Sequence, residues 1–142
     1  VRDLSSAIKR FEDCDKIGSY TDLLPDQQII EYDKIGVYRL LIEEKLDEEI
    51  RVFFKMHLED LVEYDQKRNT NLVDTLKAYF TCNGNLRKMS DILFTHYNTI
   101  LYRIERIETI TGKKLENEED RFNLHTSLKI YDLIHSNLND NM

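Results

Sequence analysis

Apolar residues recur every three or four positions along most of the chain, and each of the four glycines follows or separates one of these stretches. Such spacing is typical of amphipathic α-helices, and a glycine just past a helix end closes the last turn in the left-handed conformation. The N-terminal pattern predicts a first helix that ends near Gly18 and a loop over residues 19–26. Residues 28–32 (QIIEY) are short and apolar enough to predict a strand.

Helical spacing continues through the rest of the chain. It predicts a helix over residues 35–43 and a longer one over residues 48–67 that breaks near His57. Four more helices follow, and polar residues stand where their N-caps are expected. The predicted caps, in chain order, are Asn69–Thr70, Asn85, Asn98 or Thr99, and Asn117 with Asp120 three residues on as a variant of the capping box.

The last four helices each carry an apolar stripe that predicts their buried face. The predicted inward positions are Leu72, Val73, Leu76, Tyr79 and Phe80 on the first, Leu86, Met89, Ile92 and Leu93 on the second, Ile100, Ile104, Ile107 and Ile110 on the third, and Leu124, Leu128, Tyr131 and Ile134 on the last.

Composition agrees with a helical fold. The 142 residues include only four glycines and one proline, which disfavours a turn-rich β fold. Hydrophobic residues make up 41% of the chain, enough to bury a core. We therefore predict an all-α helical bundle with at most one short strand near the N-terminus. No apolar run approaches the ~20 residues of a membrane span, so we predict no membrane association.

Charge is distributed unevenly along the chain. The net charge is −7, yet residues 83–114 contain six basic and three acidic residues. This basic segment lies between acidic ones, and the local field matters more than the sum for an approaching polyanion. A solvated helix face is the alternative interpretation of the same charges.

The chain carries no recognisable catalytic or metal-binding motif. Its four histidines form no HExxH, its cysteines form no CxxC, and no glycine-rich phosphate loop is present. We therefore predict that the chain is not an enzyme and needs no cofactor or metal. Two well-separated cysteines are typical of reduced thiols, which predicts a cytoplasmic protein.

The segment from Gly84 to Gly112 combines a short helix, a tight turn at Thr95–His96 and a longer helix that starts with polar residues. This is the layout of a helix-turn-helix, whose second helix enters the major groove of DNA by its N-terminal end. Two amphipathic helices joined by a tight turn also occur in all-α proteins that bind no DNA. The acidic stretches 43–65 and 115–135 keep open the alternative of a helical protein-interaction or dimerisation module.

The predicted DNA-binding residues cluster around this turn. We expect some side chains to face base edges, since asparagine can read adenine, and others to hold phosphates. The base-facing residues are His96, Tyr97 and Asn98, and the phosphate-holding residues are Lys88, Thr99, Tyr102, Arg103 and Arg106.

Residues 72–131 resemble the C-terminal helix-turn-helix domain of PucR/CdaR-type bacterial transcriptional regulators. The resemblance rests on residues in fixed register, namely Thr75-Leu76, Tyr79, Gly84-Asn85, Leu93-Phe94, His96, Asn98-Thr99, Tyr102-Arg103, Arg106-Ile107-Glu108, Thr111-Gly112, Leu115 and Asp120-Arg121. It implies a sequence-specific regulator that binds double-stranded DNA, with a recognition helix at about residues 98–111. It also implies an effector ligand bound by upstream domains. Because a single module reads few base pairs, we predict a homodimer on a two-fold site.

Two departures from the family pattern stand out. Met89-Ser90 replaces the usual pair of small residues, and Tyr97 stands where the family often has arginine. Because the chain begins with Val1 rather than Met, we interpret it as the C-terminal fragment of a longer protein. Residues 1–45 are then predicted to be the tail of an upstream GGDEF-like or linker domain, and residues 46–142 the DNA-binding domain.

Overall fold

The computed structural model describes residues 38–41 and 46–140, and within these ranges every regular element is a helix. This confirms the all-α fold class. The predicted first helix, the loop and the strand at 28–32 lie outside the described residues. The helices are α1 (Tyr38–Leu41), α2 (Asp47–His57), α3 (Glu59–Arg68), α4 (Leu72–Thr81), α5 (Leu86–Leu93), α6 (Tyr97–Thr111) and α7 (Glu118–Asp140).

The described residues fall in two compact units: residues 52–128 form the first, and residues 38–41, 46–51 and 129–140 belong to the second. In the second unit, Ile130 and Leu133 of α7 are buried. In the unit 52–128, α4, α5 and α6 pack against one another, and α3 packs on α4 and α6. Its fully buried side chains are Leu58, Leu61, Leu76, Met89, Ile100, Ile107, Leu124, Thr75 and Ser127.

The break predicted near His57 is confirmed between α2 and α3. Leu58 stands between them with φ −130° and ψ −21°, outside both helices. Its backbone still bridges the two, because its N–H donates to the Phe54 carbonyl at 2.9 Å and its carbonyl accepts from Val62 at 3.1 Å. The Leu58 side chain is fully buried, so the break is held by the core.

The cap predicted for α4 at Asn69–Thr70 is wrong. Asn69 instead ends α3 in the left-handed conformation, and α4 begins at Leu72 without a side-chain cap from Asn71. The carboxylate of Asp65, on α3, accepts the N–H groups of Leu72 at 2.9 Å and Val73 at 2.8 Å. A negative charge at a helix N-terminus satisfies free donors and complements the helix dipole, so Asp65 fixes the corner between α3 and α4.

The Asn85 and Asn117 caps of α5 and α7 are confirmed, whereas the capping-box role of Asp120 is wrong, because the Asn117 N–H donates to the Lys114 carbonyl at 3.0 Å instead. The Asn85 side chain accepts the Lys88 N–H at 3.1 Å, and the Asn117 side chain accepts the Asp120 N–H at 3.0 Å. The Asp120 carboxylate accepts the Lys114 N–H at 2.9 Å, so it holds the loop before α7.

The predicted inward positions are largely confirmed, with one exception on α5. Met89 and Ile100 are buried together with Ala78, and Leu86, Leu93 and Ile104 pack against this cluster. Ile92 is 55% exposed, so its predicted inward position is wrong. The eight-residue helix α5 buries one side only, and Ile92 lies beyond that side.

Candidate DNA-binding site

The turn between α5 and α6 consists of residues 94–96. Phe94 takes the left-handed conformation with φ 50° and is 96% exposed. The Thr95 N–H donates to the Ser90 carbonyl at 3.1 Å, and the Ser90 hydroxyl donates back to the Thr95 carbonyl. These reciprocal bonds fix the direction in which α6 leaves the turn.

The N-terminus of α6 lacks a side-chain cap. The prediction that Asn98 or Thr99 caps this helix is wrong, because α6 already begins at Tyr97 with His96 as the uncapped N-cap residue. The His96 carbonyl accepts the N–H groups of Thr99 at 3.0 Å and Ile100 at 3.1 Å. An uncapped helix N-terminus carries partial positive charge and favours anions such as phosphate.

The structure separates the predicted site residues into two groups. One group is exposed on α5, on the turn and on the first turns of α6, and the other is half-buried on the flank of α6. The exposed residues are Lys88, His96, Tyr97, Asn98, Thr99 and Tyr102, and the half-buried residues are Arg103 and Arg106.

Arg103 reaches from α6 towards α4. One terminal nitrogen of its guanidinium donates to the Thr75 hydroxyl at 3.5 Å. Thr75 is fully buried, and its hydroxyl donates to the Asn71 carbonyl at 2.8 Å. This single contact is longer than the usual N–H···O hydrogen bond, which leaves Arg103 able to turn towards another partner.

Arg106 is held more firmly, by Tyr64 on α3. The Nε of Arg106 donates to the Tyr64 hydroxyl at 3.3 Å, and the Nη2 of Arg106 donates to the same hydroxyl at 3.1 Å. The guanidinium carbon lies 5.2 Å from the centre of the Tyr64 ring, within the range of a cation–π contact. The pKa of Arg106 is raised, mainly because its guanidinium donates a hydrogen bond to Tyr64. Arg106 therefore joins α6 to α3.

The outward side of α6 carries Asn98, Tyr102, Glu105 and Thr109, which are all exposed. They lie at i, i+4, i+7 and i+11, so they share one side of the helix. We call this set the outward stripe. Glu105 was missed in the sequence reasoning, which looked for cations and donors. Ile100 and Ile107 are buried on the opposite side of α6. Their spacing in the sequence could have predicted that Glu105 faces outward.

The residues at the C-terminal end of α6 hold the next loop in place. The Glu108 carboxylate accepts the Leu115 N–H at 2.9 Å and the Lys114 ammonium at 3.1 Å. Gly112 ends the helix with φ 67°, in the left-handed region that glycine adopts without strain. Both ends of α6 are therefore fixed.

His57 lies near this loop. Its Nδ1 is buried and has no hydrogen-bond partner among the described residues, and its ring is 4.4 Å from that of Phe53. Burial, followed by the positive charge of Lys113, lowers the pKa of His57, and Asp120 opposes this shift.

A separate open groove of about 540 Å³ lies where the end of α4 meets the start of α7. The rings of Phe80 and His125 stack there at 4.3 Å, and Phe122 beside them is 65% exposed. Over the part of the chain described, no group of three or more His, Cys, Asp or Glu side chains could hold a metal ion. No helix in that part is both long and apolar enough to cross a membrane.

Residues 72–130 match the family of the PucR C-terminal helix-turn-helix domain. This segment is a PucR-type helix-turn-helix domain. The match covers α4 to α6 and more than half of α7, so the four matched helices include the outward stripe and the uncapped N-terminus.

Several curated relatives of the chain are named as regulators or activators. The DNA-binding transcriptional activator AdeR of Bacillus subtilis is 26% identical over 73% of this chain and 25% of its own length. The purine catabolism regulatory protein of the same organism is 30% identical over 61% of this chain and 16% of its own length. The carbohydrate diacid regulator of Escherichia coli is 41% identical over 39% of this chain and 14% of its own length. The chain thus spans a quarter or less of the length of these relatives.

The two departures from the family pattern have clear places in this PucR-type domain. Met89 is fully buried in the cluster with Ala78, Cys82 and Ile100, so its larger side chain fills the space between α4, α5 and α6. Ser90 forms the reciprocal bonds of the turn. Tyr97 is exposed in the first turn of α6.

Proposed function

We propose that this chain is the DNA-binding part of a transcription regulator, and that its PucR-type domain binds double-stranded DNA with the start of α6 in the major groove. The observation that carries the proposal is the exposed, uncapped N-terminus of α6 within a matched helix-turn-helix domain. Donors and partial positive charge at this point suit a polyanion. The names of the relatives support the same function.

The side chains around the turn are assigned to two kinds of DNA contact, with bases and with phosphates. The exposed residues at the start of α6 are proposed to face base edges, and the exposed lysine on α5 to hold a phosphate. Base contacts are assigned to His96, Tyr97 and Asn98, and phosphate contacts to Lys88, Thr99, Tyr102 and Arg103.

Arg106 has a different role in this proposal. Its guanidinium is bonded to Tyr64 on α3, at a half-buried position on the flank of α6. We assign it to positioning the recognition helix, without a direct phosphate bond.

The remaining parts of the proposal concern the whole protein. We propose that residues 46–142 form the DNA-binding domain and that residues 1–45 are the tail of an upstream GGDEF-like or linker domain. Upstream domains would bind the effector, and a cytoplasmic homodimer would bind a two-fold site, because a single module reads few base pairs. The short share of the relatives' length that the chain spans supports this arrangement.

A protein-interaction module that binds no DNA is the alternative function. It predicts a stable protein complex formed through an apolar surface away from Asn98. The domain match and the relatives' names do not favour it.

The test is a titration of the whole chain with duplex DNA of random sequence at several salt concentrations. We expect binding that weakens as salt rises, with a slope of log K against log salt of about −0.9 for each phosphate contact. Lys88→Ala is expected to reduce the slope by about one contact, whereas Lys67→Ala, an equal charge change on α3, leaves it unchanged. Absence of binding at low salt, or equal effects of the two variants, contradicts the proposal.

A further inference from the structure

The first three residues of the outward stripe are chemically distinct and lie on successive turns of α6. Asn98, Tyr102 and Glu105 lie opposite the buried residues Ile100 and Ile107, so they point away from the core. Tyr102 is 63% exposed. A surface that binds this part of the outward stripe therefore contacts an amide, a phenol and a carboxylate.

The two arginines of α6 do not belong to this stripe. Arg103 donates to Thr75 on α4, and Arg106 is held by two bonds to Tyr64 on α3. Bidentate contact of arginine with guanine is the commonest specific contact in the major groove. Both side chains leave α6 on its flank, so neither offers that contact from the outward stripe.

The groups that remain on the stripe favour other bases. An asparagine amide can bond adenine at N6 and N7, and a carboxylate accepts a hydrogen bond from the N4 amino group of cytosine. A carboxylate facing DNA is repelled by the phosphates, so it weakens binding at every sequence that does not offer it a donor. Glu105 thus acts against unsuitable bases as well as for suitable ones.

We infer that Glu105 is a specificity-determining residue, and that α6 reads a half-site with adenine at Asn98 and cytosine at Glu105. This inference rests on the proposed function. The two residues are seven positions apart, which is about 10 Å along a helix at 1.5 Å per residue. With bases spaced by about 3.4 Å, the adenine and the cytosine are expected about three base pairs apart.

The experiment is a selection of duplexes from a random pool by the whole chain, carried out with four proteins. These are the wild type, Glu105→Gln, Asn98→Ala and the control Glu119→Gln, which makes the same change at an exposed position of α7. Competition with single-base variants of the selected site then gives the preference at each position. Circular dichroism checks that every variant keeps its helical content.

We expect the wild type to prefer cytosine at one position by about tenfold, with adenine about three base pairs away. Glu105→Gln should reduce the cytosine preference to less than about threefold, keep the adenine and bind random duplex more tightly than the wild type. Asn98→Ala should lose the adenine preference, and Glu119→Gln should change neither preference.

Two results overturn the inference and have different meanings. If the wild type selects a site and Glu105→Gln selects the same site with equal discrimination, Glu105 is not a specificity determinant, while DNA binding stands. If the wild type binds no duplex even at low salt, the proposed function fails and the inference fails with it.

Discussion

Removal of the Asp65 carboxylate tests how the helix-turn-helix is attached to α3. In Asp65→Ala the N–H groups of Leu72 and Val73 lose their acceptor, and so does the Thr70 hydroxyl. Loss of an N-cap acceptor costs about 0.5–2 kcal/mol, and the carboxylate here serves two backbone donors. We expect the free energy of unfolding to fall by about 2 kcal/mol, and by about half of that in Asp65→Asn, which keeps one acceptor oxygen.

Thermal and urea unfolding followed by circular dichroism measure this loss. For a compact unit of this size, each kcal/mol corresponds to roughly 4–8 °C in Tm. Asp91→Ala is the matched control, because Asp91 is exposed on α5, and its removal should change stability by less than about 0.5 kcal/mol. The reasoning is refuted if Asp65→Ala unfolds like the wild type or if Asp91→Ala costs as much.

Three further predictions concern α6 and its surroundings. Arg106→Ala should weaken duplex binding without changing the salt slope of binding, whereas Arg103→Ala should reduce that slope by about 0.9. Anisotropy titrations at several salt concentrations measure both slopes. A reduced slope for Arg106→Ala contradicts the positioning role of Arg106. Because the pKa of folded His57 lies below its ordinary value of 6.5, stability should be full above that pH and fall as pH drops below it. Urea titrations between pH 7.5 and 5.5 should show a smaller fall for His57→Leu; an equal fall excludes His57 as the cause. Gly84→Ala should cost about 1 kcal/mol in urea unfolding, since φ is 74° and a Cβ would lie 3.2 Å from the Tyr79 hydroxyl; unchanged stability argues against strain.

The sequence predicted those parts of the fold that depend on neighbouring residues. Apolar spacing located the buried side of α6 at Ile100 and Ile107, and the break near His57 followed from the same pattern. The caps at Asn85 and Asn117 could be predicted because a cap of this kind is local: each side chain bonds a backbone group three residues away.

The failures have non-local causes. The donors at the start of α4 are satisfied by Asp65, from the preceding helix, and sequence spacing gives no sign of this. The start of α6 was misplaced because Asn98 is a good cap residue by type, whereas the N-cap position, after the turn bonded by Ser90, is His96, two residues earlier. Ile92 fits an apolar stripe, but whether it is buried depends on which helices lie around α5.

The candidate site was predicted by location more accurately than by role. The exposed residues around the turn include most of those expected from the sequence. The partners of Arg103 and Arg106 lie 28 and 42 positions away along the chain, so only the folded structure shows that these cations are engaged on the flank. Glu105 was passed over because the local excess of basic residues over 83–114 directs attention to cations.

The most direct test of the central claim is to map the DNA contact by amide NMR while the whole chain is titrated with duplex DNA at low salt. If the start of α6 binds DNA, the largest changes in amide chemical shift fall on residues 96–102 and on Lys88, and these changes reverse as salt is added. Shifts confined to α7 and the groove beside Phe122, with residues 96–102 unmoved, would contradict it.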